Sequence, residues 1–177
     1  PVEKIYEDIE NFLKYCNENS ENIYIKASLA HIWFVIIHPY DDGNGRIARA
    51  ITDYILSQNN SNTQFKLYSI STAINKDRNG YYDILDKTTN LFLNKNFDLT
   101  PWIEWHLNTL NDAMKQSLIN IEYFIQKTKF WDKHRSKALN ERQLKVLNKI
   151  LNVGDENFEG GLNTKKYISL TKVSKAT

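Results

Sequence analysis

Apolar residues recur at helical spacing along almost the whole chain, and no series of β-branched runs is present from which a parallel sheet could be built. Ile5, Ile9, Phe12 and Cys16 trace a first stripe and place the Cys16 thiol in the interior. Leu29, Ile32, Trp33, Ile36 and Ile37 stand at i, i+3, i+4, i+7 and i+8, and Ile47, Ala50, Ile51, Tyr54 and Ile55 repeat the pattern after a short glycine-containing loop. The spacing predicts two amphipathic helices joined by that loop. Ile84, Leu85, Thr88, Leu91 and Phe92 predict another. Thr100-Pro101 reads as an N-cap followed by proline at the first helical position. The helix it opens runs to about Ile125, with Trp105, Leu110, Met114, Leu118 and Ile121 along its buried face. Asn140-Glu141-Arg142-Gln143 is a helix start with a glutamine three residues beyond the cap. Leu144, Leu147 and Leu151 then mark one short helix, and Tyr167, Ile168, Leu170 and Val173 a second. Asn59–Asn62, Asn94–Asn96 and Gly154–Leu162 read as loops, and Trp131–Leu139 as a linker of mixed charge. The expectation is an all-α fold with a boundary near residue 138, separating a domain of residues 1–138 from a segment of residues 139–177.

Composition supports a packed core: 41% of the 177 residues are hydrophobic and four are tryptophan. Cys16 is the only cysteine, which excludes a disulfide framework and suits a reducing compartment. No run approaches the ~18 apolar residues of a membrane span, and no signal peptide is present, so a cytoplasmic location is expected. The chain begins at Pro1 rather than Met and stops at Thr177 without a helix-ending signal, and both ends are read as cut. The net charge of +2 is unevenly spread. Residues 1–126 carry 11 Lys/Arg against 16 Asp/Glu, whereas residues 127–177 carry 12 against 5. A solvated basic face explains this, as would an anionic partner for the C-terminal part.

Chemistry concentrates in one run, His38-Pro39-Tyr40-Asp41-Asp42-Gly43-Asn44-Gly45-Arg46-Ile47-Ala48-Arg49. With a helix starting near Gly45, free backbone N–H groups face the loop and the helix dipole favours an anion there. Gly43 and Gly45 let the backbone approach phosphate without a Cβ in the way. Asn44 adds a side-chain donor. Arg46 and Arg49, three apart, reach further along a polyphosphate. Asp42 is a hard oxygen ligand suited to Mg²⁺ bridging phosphate oxygens. His38 ends the preceding helix, where it can take a proton from an incoming hydroxyl.

This run resembles the Fic motif, His-Pro-Phe-x-[Asp/Glu]-Gly-Asn-Gly-Arg-x-x-Arg, with Tyr40 in place of the phenylalanine. Ala30-His31-Ile32-Trp33-Phe34, Tyr81-Tyr82-Asp83-Ile84-Leu85, Thr100-Pro101-Trp102 and Asn140-Glu141-Arg142-Gln143 extend the likeness to about residues 1–170. They resemble bacterial Fic proteins with a C-terminal winged-helix module. The resemblance implies a Fic-type helical bundle followed by a partial winged-helix segment, and transfer of AMP from ATP to a Ser, Thr or Tyr hydroxyl of a target protein, which could be the protein itself. It casts His38 as the base, Asp42 as the Mg²⁺ ligand, Gly43, Asn44, Gly45 and Arg46 as the anion hole, and Arg49 as the γ-phosphate contact. Ser69, Tyr81 and Tyr82 are implied neighbours of the nucleoside. A homodimer is compatible with it, as are secretion as an effector, removal of AMP, phosphoryl transfer and phosphocholine transfer. Gly45 stands where the kinase-like Doc branch carries lysine, which favours nucleotidyl transfer. The inhibitory helix and the target-aligning flap of relatives have no counterpart; Thr100-x-x-x-Glu104 has the inhibitory spacing by coincidence.

Rival readings fare worse. Gly43-Asn44-Gly45-Arg46-Ile47-Ala48 fits G-x-G-x-x-A if Phe34–Ile37 is a strand, but Phe65-Lys66-Leu67 supplies no acid for a ribose. A His-Asp phosphohydrolase needs a His-Asp pair, and none occurs. His31, His106 and His134 are read as structural. DNA binding through residues 140–173, with Lys165, Lys166, Lys172 and Lys175 on phosphates, would require an intact C-terminal module.

Overall fold

The computed structural model describes residues 2–18, 22–58, 68–153 and 161–172. Every regular element among them is a helix: α1 (Val2–Asn17), α2 (Ile23–Ile37), α3 (Asn44–Ser57), α4 (Ile70–Lys76), α5 (Arg78–Thr89), α6 (Thr100–His134), α7 (Glu141–Val153) and α8 (Thr164–Thr171). The all-α expectation holds, and Phe34–Ile37 is the last turn of α2, which removes the strand a dinucleotide fold would need. Phe65–Leu67 and the Asn59–Asn62 loop lie outside the described residues. The chain divides within α6 into two units, Pro1–Ser117 and Leu118–Thr177.

In the first unit α2 is the central element, packed against α1 and, most extensively, α3. Its buried residues include Ala27, Ala30, His31, Ile32 and Phe34, while Ile36 is exposed. On α3 the buried residues are Asn44, Ala48, Thr52, Ile55 and Leu56; Ala50 and Tyr54 face solvent. Both stripes are therefore rotated from those marked by the large apolar side chains. Small residues such as Ala27, Ala30 and Ala48 let helices approach closely, and close approach buries whatever else shares their face. Phe12 and Cys16 of α1 are buried and Ile5 is exposed. Phe12 meets Trp33 edge-on at 5.7 Å between centroids, and burial pushes the Cys16 thiol pKa up, against the pull of the Lys26 charge. Lys26 is itself buried, its ammonium on the Glu18 carbonyl and 5.9 Å from the Tyr15 ring centroid.

The first half of α6 closes the unit. Trp102, His106, Leu110, Ala113 and Ser117 line its buried face, and the Trp102 Nε1–H donates to the Ser28 carbonyl of α2 at 2.9 Å. The predicted face was displaced: Trp105 and Met114 flank the core, but Leu118 is exposed. The start also differs. The Leu99 carbonyl accepts from Ile103 N–H, and Asp98 accepts from Thr100 N–H at 2.9 Å, so capping precedes Thr100. That backbone bond holds the Asp98 carboxyl below its usual range. The helix continues to His134, so the first four residues of the predicted linker are helical. Helix α5 stops at Thr89, leaving Leu91 and Phe92 exposed in the following turns.

In the second unit α7 packs against α8. The predicted capping box is present in both directions: Gln143 N–H donates to Asn140 Oδ1, and Asn140 N–H to Gln143 Oε1, each at 2.9 Å. Val146, rather than Leu144, is the buried residue of α7. His134 packs on the Phe130 ring at 4.6 Å. Val173, Lys175 and most of the Gly154–Leu162 loop lie outside the described residues.

Candidate active site

Helix α2 ends where it does because Pro39 offers no N–H and disfavours helical geometry at the residue before it. His38 takes the left-handed conformation (φ 49°, ψ 55°), its N–H still bonded to the Phe34 carbonyl at 3.1 Å. Left-handed backbone costs an L-residue roughly 1 kcal/mol. His38 is exposed to solvent.

The loop that follows is held by Asn44. Its Nδ2 donates to the Tyr40 carbonyl at 2.5 Å, and its Oδ1 accepts from Tyr40 N–H at 3.2 Å. The buried Asn44 side chain is thus committed to the loop, leaving its backbone N–H for an anion. Tyr40 itself is half-exposed, its ring 6.4 Å from that of Phe34. Gly43 caps α3 at φ +88°, its carbonyl accepting from Ile47 N–H at 3.0 Å. Only glycine occupies such a φ without strain. No side chain caps α3, so the first-turn N–H groups of Asn44, Gly45 and Arg46 have no intrahelical partner. Asp42 accepts from Gly43 N–H at 2.6 Å through one oxygen and pairs with Arg46 Nη2 at 3.1 Å through the other. Both side chains are largely exposed, so the pair is open to exchange for a phosphate and a cation.

Gly45 is informative because packing does not demand it. A Cβ there would sit 3.6 Å from Arg49 Nη1 and 3.8 Å from the Tyr81 hydroxyl, both ordinary contacts. The two arginines diverge: Arg46 turns outward to Asp42, and Arg49 turns toward Tyr81.

Beneath the loop lies a buried polar group. His31 is fully buried, with Nδ1 3.0 Å from Thr52 Oγ1 and Nε2 3.2 Å from the Tyr81 hydroxyl. Burial, then the charges of His106 and Arg49, drive its pKa well below the ordinary value, so it is neutral. Burial lowers His106 to about 4. Neither ring nitrogen of His106, nor the Ser28 hydroxyl, has a hydrogen-bond partner. Tyr81 is 3% exposed; burial raises its pKa while Arg49 lowers it by charge and hydrogen bonding. His31 and Thr52 carried no signal as site residues, since a histidine and a threonine on helical stripes read as packing. The other two residues expected near the nucleoside have local contacts of their own. Ser69 caps α4, accepting from Thr72 N–H at 3.2 Å, and Tyr82 is half-exposed under the Arg78 guanidinium, 5.6 Å from its centroid.

Among the described residues no three His, Cys, Asp or Glu side chains cluster as a metal site. Mg²⁺ does not require one: it is held by one or two carboxylates, with phosphates and waters completing the octahedron. The exposed Asp42 carboxylate fits that need. No described helix is long and apolar enough to cross a membrane.

Comparison with known proteins agrees with this geometry. Residues 1–56 match the Fic/DOC family. A curated protein of Aquifex aeolicus, named a probable protein adenylyltransferase, is 36% identical over 58 residues, which cover 33% of this chain and 18% of that protein. A solved Fic family protein from Desulfovibrio desulfuricans G20 superposes with a TM-score of 0.56 over 98% of this chain and 45% of its own, at 19% identity, a likeness of fold. The chain thus spans under half the length of that structure, and the match to the curated relative under a fifth.

Proposed function

We propose that the chain, whose residues 1–56 match the Fic/DOC family, is a Fic-type protein adenylyltransferase, moving AMP from ATP to a hydroxyl of a target protein. The observation that carries this is the junction of α2 and α3. An exposed histidine at the left-handed end of α2 lies six residues before a helix N-terminus whose first-turn amides carry no side-chain cap. The name of the Aquifex relative supports the same chemistry.

The free amides of α3 and Arg46 bind the phosphates, with Arg49 toward the γ end. Asp42 would hold Mg²⁺, which when bound would offset phosphate charge. His38 accepts the hydroxyl proton as the oxygen bonds to the α-phosphorus; the bond from that phosphorus to the bridging oxygen breaks, and pyrophosphate leaves. Positioning and preorganised donors supply most of the acceleration in such transfers. The resemblance favours this outcome over phosphoryl transfer, because Gly45 stands where the kinase-like Doc branch carries lysine.

Incubation with Mg²⁺ and α-labelled ATP, first with the protein as its own target and then with lysate proteins, tests the reading. We expect α-label on protein, absent with His38→Ala. Transfer of γ-label instead identifies a kinase, transfer from CDP-choline a phosphocholine transferase, and either replaces the proposal.

A further inference from the structure

Arg49 does not stand alone under the loop. Thr52 donates its hydroxyl to the Ala48 carbonyl at 3.0 Å, so its oxygen is free only to accept. It accepts from His31, which fixes the proton on Nδ1 and leaves Nε2 as an acceptor. The group facing Nε2 is the Tyr81 hydroxyl at 3.2 Å, which must donate to it. The Tyr81 oxygen keeps lone pairs for its other partner, the Arg49 guanidinium, which hydrogen-bonds it and is a donor without acceptor capacity. Every proton direction follows from the one before it, ending at a helix carbonyl. The members come from α2, α3 and α5, and His31, Thr52 and Tyr81 are nearly or completely buried.

We infer that the Tyr81–His31–Thr52 chain is a positioning device for Arg49, presenting the Tyr81 oxygen as an acceptor that aims the guanidinium along the polyphosphate. The inference rests on reading the α2–α3 loop as a polyphosphate site. A neutral His31 is essential to it. Protonation at Nε2 would force the Tyr81 O–H to turn toward Arg49, donor against donor. The buried position and the neighbouring guanidinium both oppose that state. Tyr81 thereby acts through Arg49, beneath the nucleotide, rather than on the nucleoside face.

A thermodynamic cycle tests this, with binding of Mg·ATP, inorganic tripolyphosphate and AMP measured by calorimetry for the wild type, Tyr81→Phe, Arg49→Gln and the double variant. A hydrogen bond to a charged group corresponds to about tenfold in affinity or more. We expect Tyr81→Phe to weaken ATP and tripolyphosphate about tenfold, leave AMP unchanged, and have no further effect once Arg49 is Gln. Equal losses in both backgrounds, or an equal loss for AMP, overturn the inference. Imidazole ¹⁵N spectra of the wild type provide a second readout that needs neither nucleotide nor variant. His31 must show the neutral Nδ1–H form at pH 7; an Nε2–H or doubly protonated ring overturns the chain. If the wild type binds neither ATP nor tripolyphosphate, the polyphosphate reading fails, and the inferred role of Tyr81 fails with it. The spectra then still report the hydrogen-bond directions.

Discussion

The rim and the floor of the α2–α3 junction are made from the same residue types in opposite surroundings. His38 at the rim is exposed and held out by its backbone; His31, two turns earlier, is fully buried, bonded at both nitrogens and neutral. Arg46 pairs in solvent with Asp42, whereas Arg49 faces a buried tyrosine. The rim groups can exchange partners for a substrate because water competes for every contact they make. The floor groups cannot, because a broken bond there leaves a polar atom without water. One surface is thus built to react and the other to keep its shape.

Exchanging the two histidines separates these roles most sharply. His38→Ala should lower transfer by about 10²- to 10⁴-fold, the range for a general base, with an unchanged melting temperature. His31→Ala should instead destabilise the fold by about 3 kcal/mol, since it orphans Thr52 and Tyr81 in the interior. A label-transfer assay and a denaturation curve run on both variants would refute the division if either variant showed the other's behaviour.

Acid should undo the floor before the rim. His106 has a folded pKa near 4 against an ordinary 6.5, so between those values the unfolded chain takes up a proton that the folded one refuses. Stability therefore falls as pH drops from about 6.5 to about 4, by about 3 kcal/mol from this residue, and its contribution is constant below that. His106→Leu should make this limb shallower in urea unfolding between pH 7 and 4, leaving the part that His31, also held neutral by burial, contributes. A limb of undiminished slope would show that His106 is not its source.

Smaller effects lie at the rim. Gly43→Ala should cost about 1 to 2 kcal/mol, because φ +88° is strained for alanine. The added Cβ, 3.3 Å from Arg46 Nη2, meets only the movable end of that side chain. A melting curve within error of wild type would show that the loop can rotate out of this conformation. Asp42→Asn should leave the melting temperature unmoved, since the Asp42–Arg46 pair is exposed. Its effect should appear only as a higher Mg²⁺ requirement in transfer, and unchanged Mg²⁺ dependence would remove Asp42 from the cation site.

Much of this was legible along the chain because it depends on neighbours in sequence. The helical period, the end of α2 at His38 before Pro39 and the Asn140–Gln143 capping box are each specified within a few residues, where backbone geometry and local hydrogen bonds decide. All of them appear as read. Which face of each helix is buried was not local. Ala27, Ala30 and Ala48 set how closely helices approach, and that turned α2 and α3 away from the stripes their large apolar residues suggested. Leu91, Phe92 and Leu118 carried helical spacing but are exposed.

By itself the sequence determined that the regular elements among the described residues are helices, and it set out the run of histidine, carboxylate, glycines and arginines on which the proposed function rests. Tertiary structure decided what stands behind that run. His31, Thr52 and Tyr81 are separated by 21 and 29 residues, and only the packing of α2, α3 and α5 brings their polar atoms within hydrogen-bond reach. Burial then converts a histidine that would titrate near neutrality into a fixed acceptor. Dielectric environment and hydrogen-bond direction belong to the assembled core, and no stretch of the chain encodes them alone.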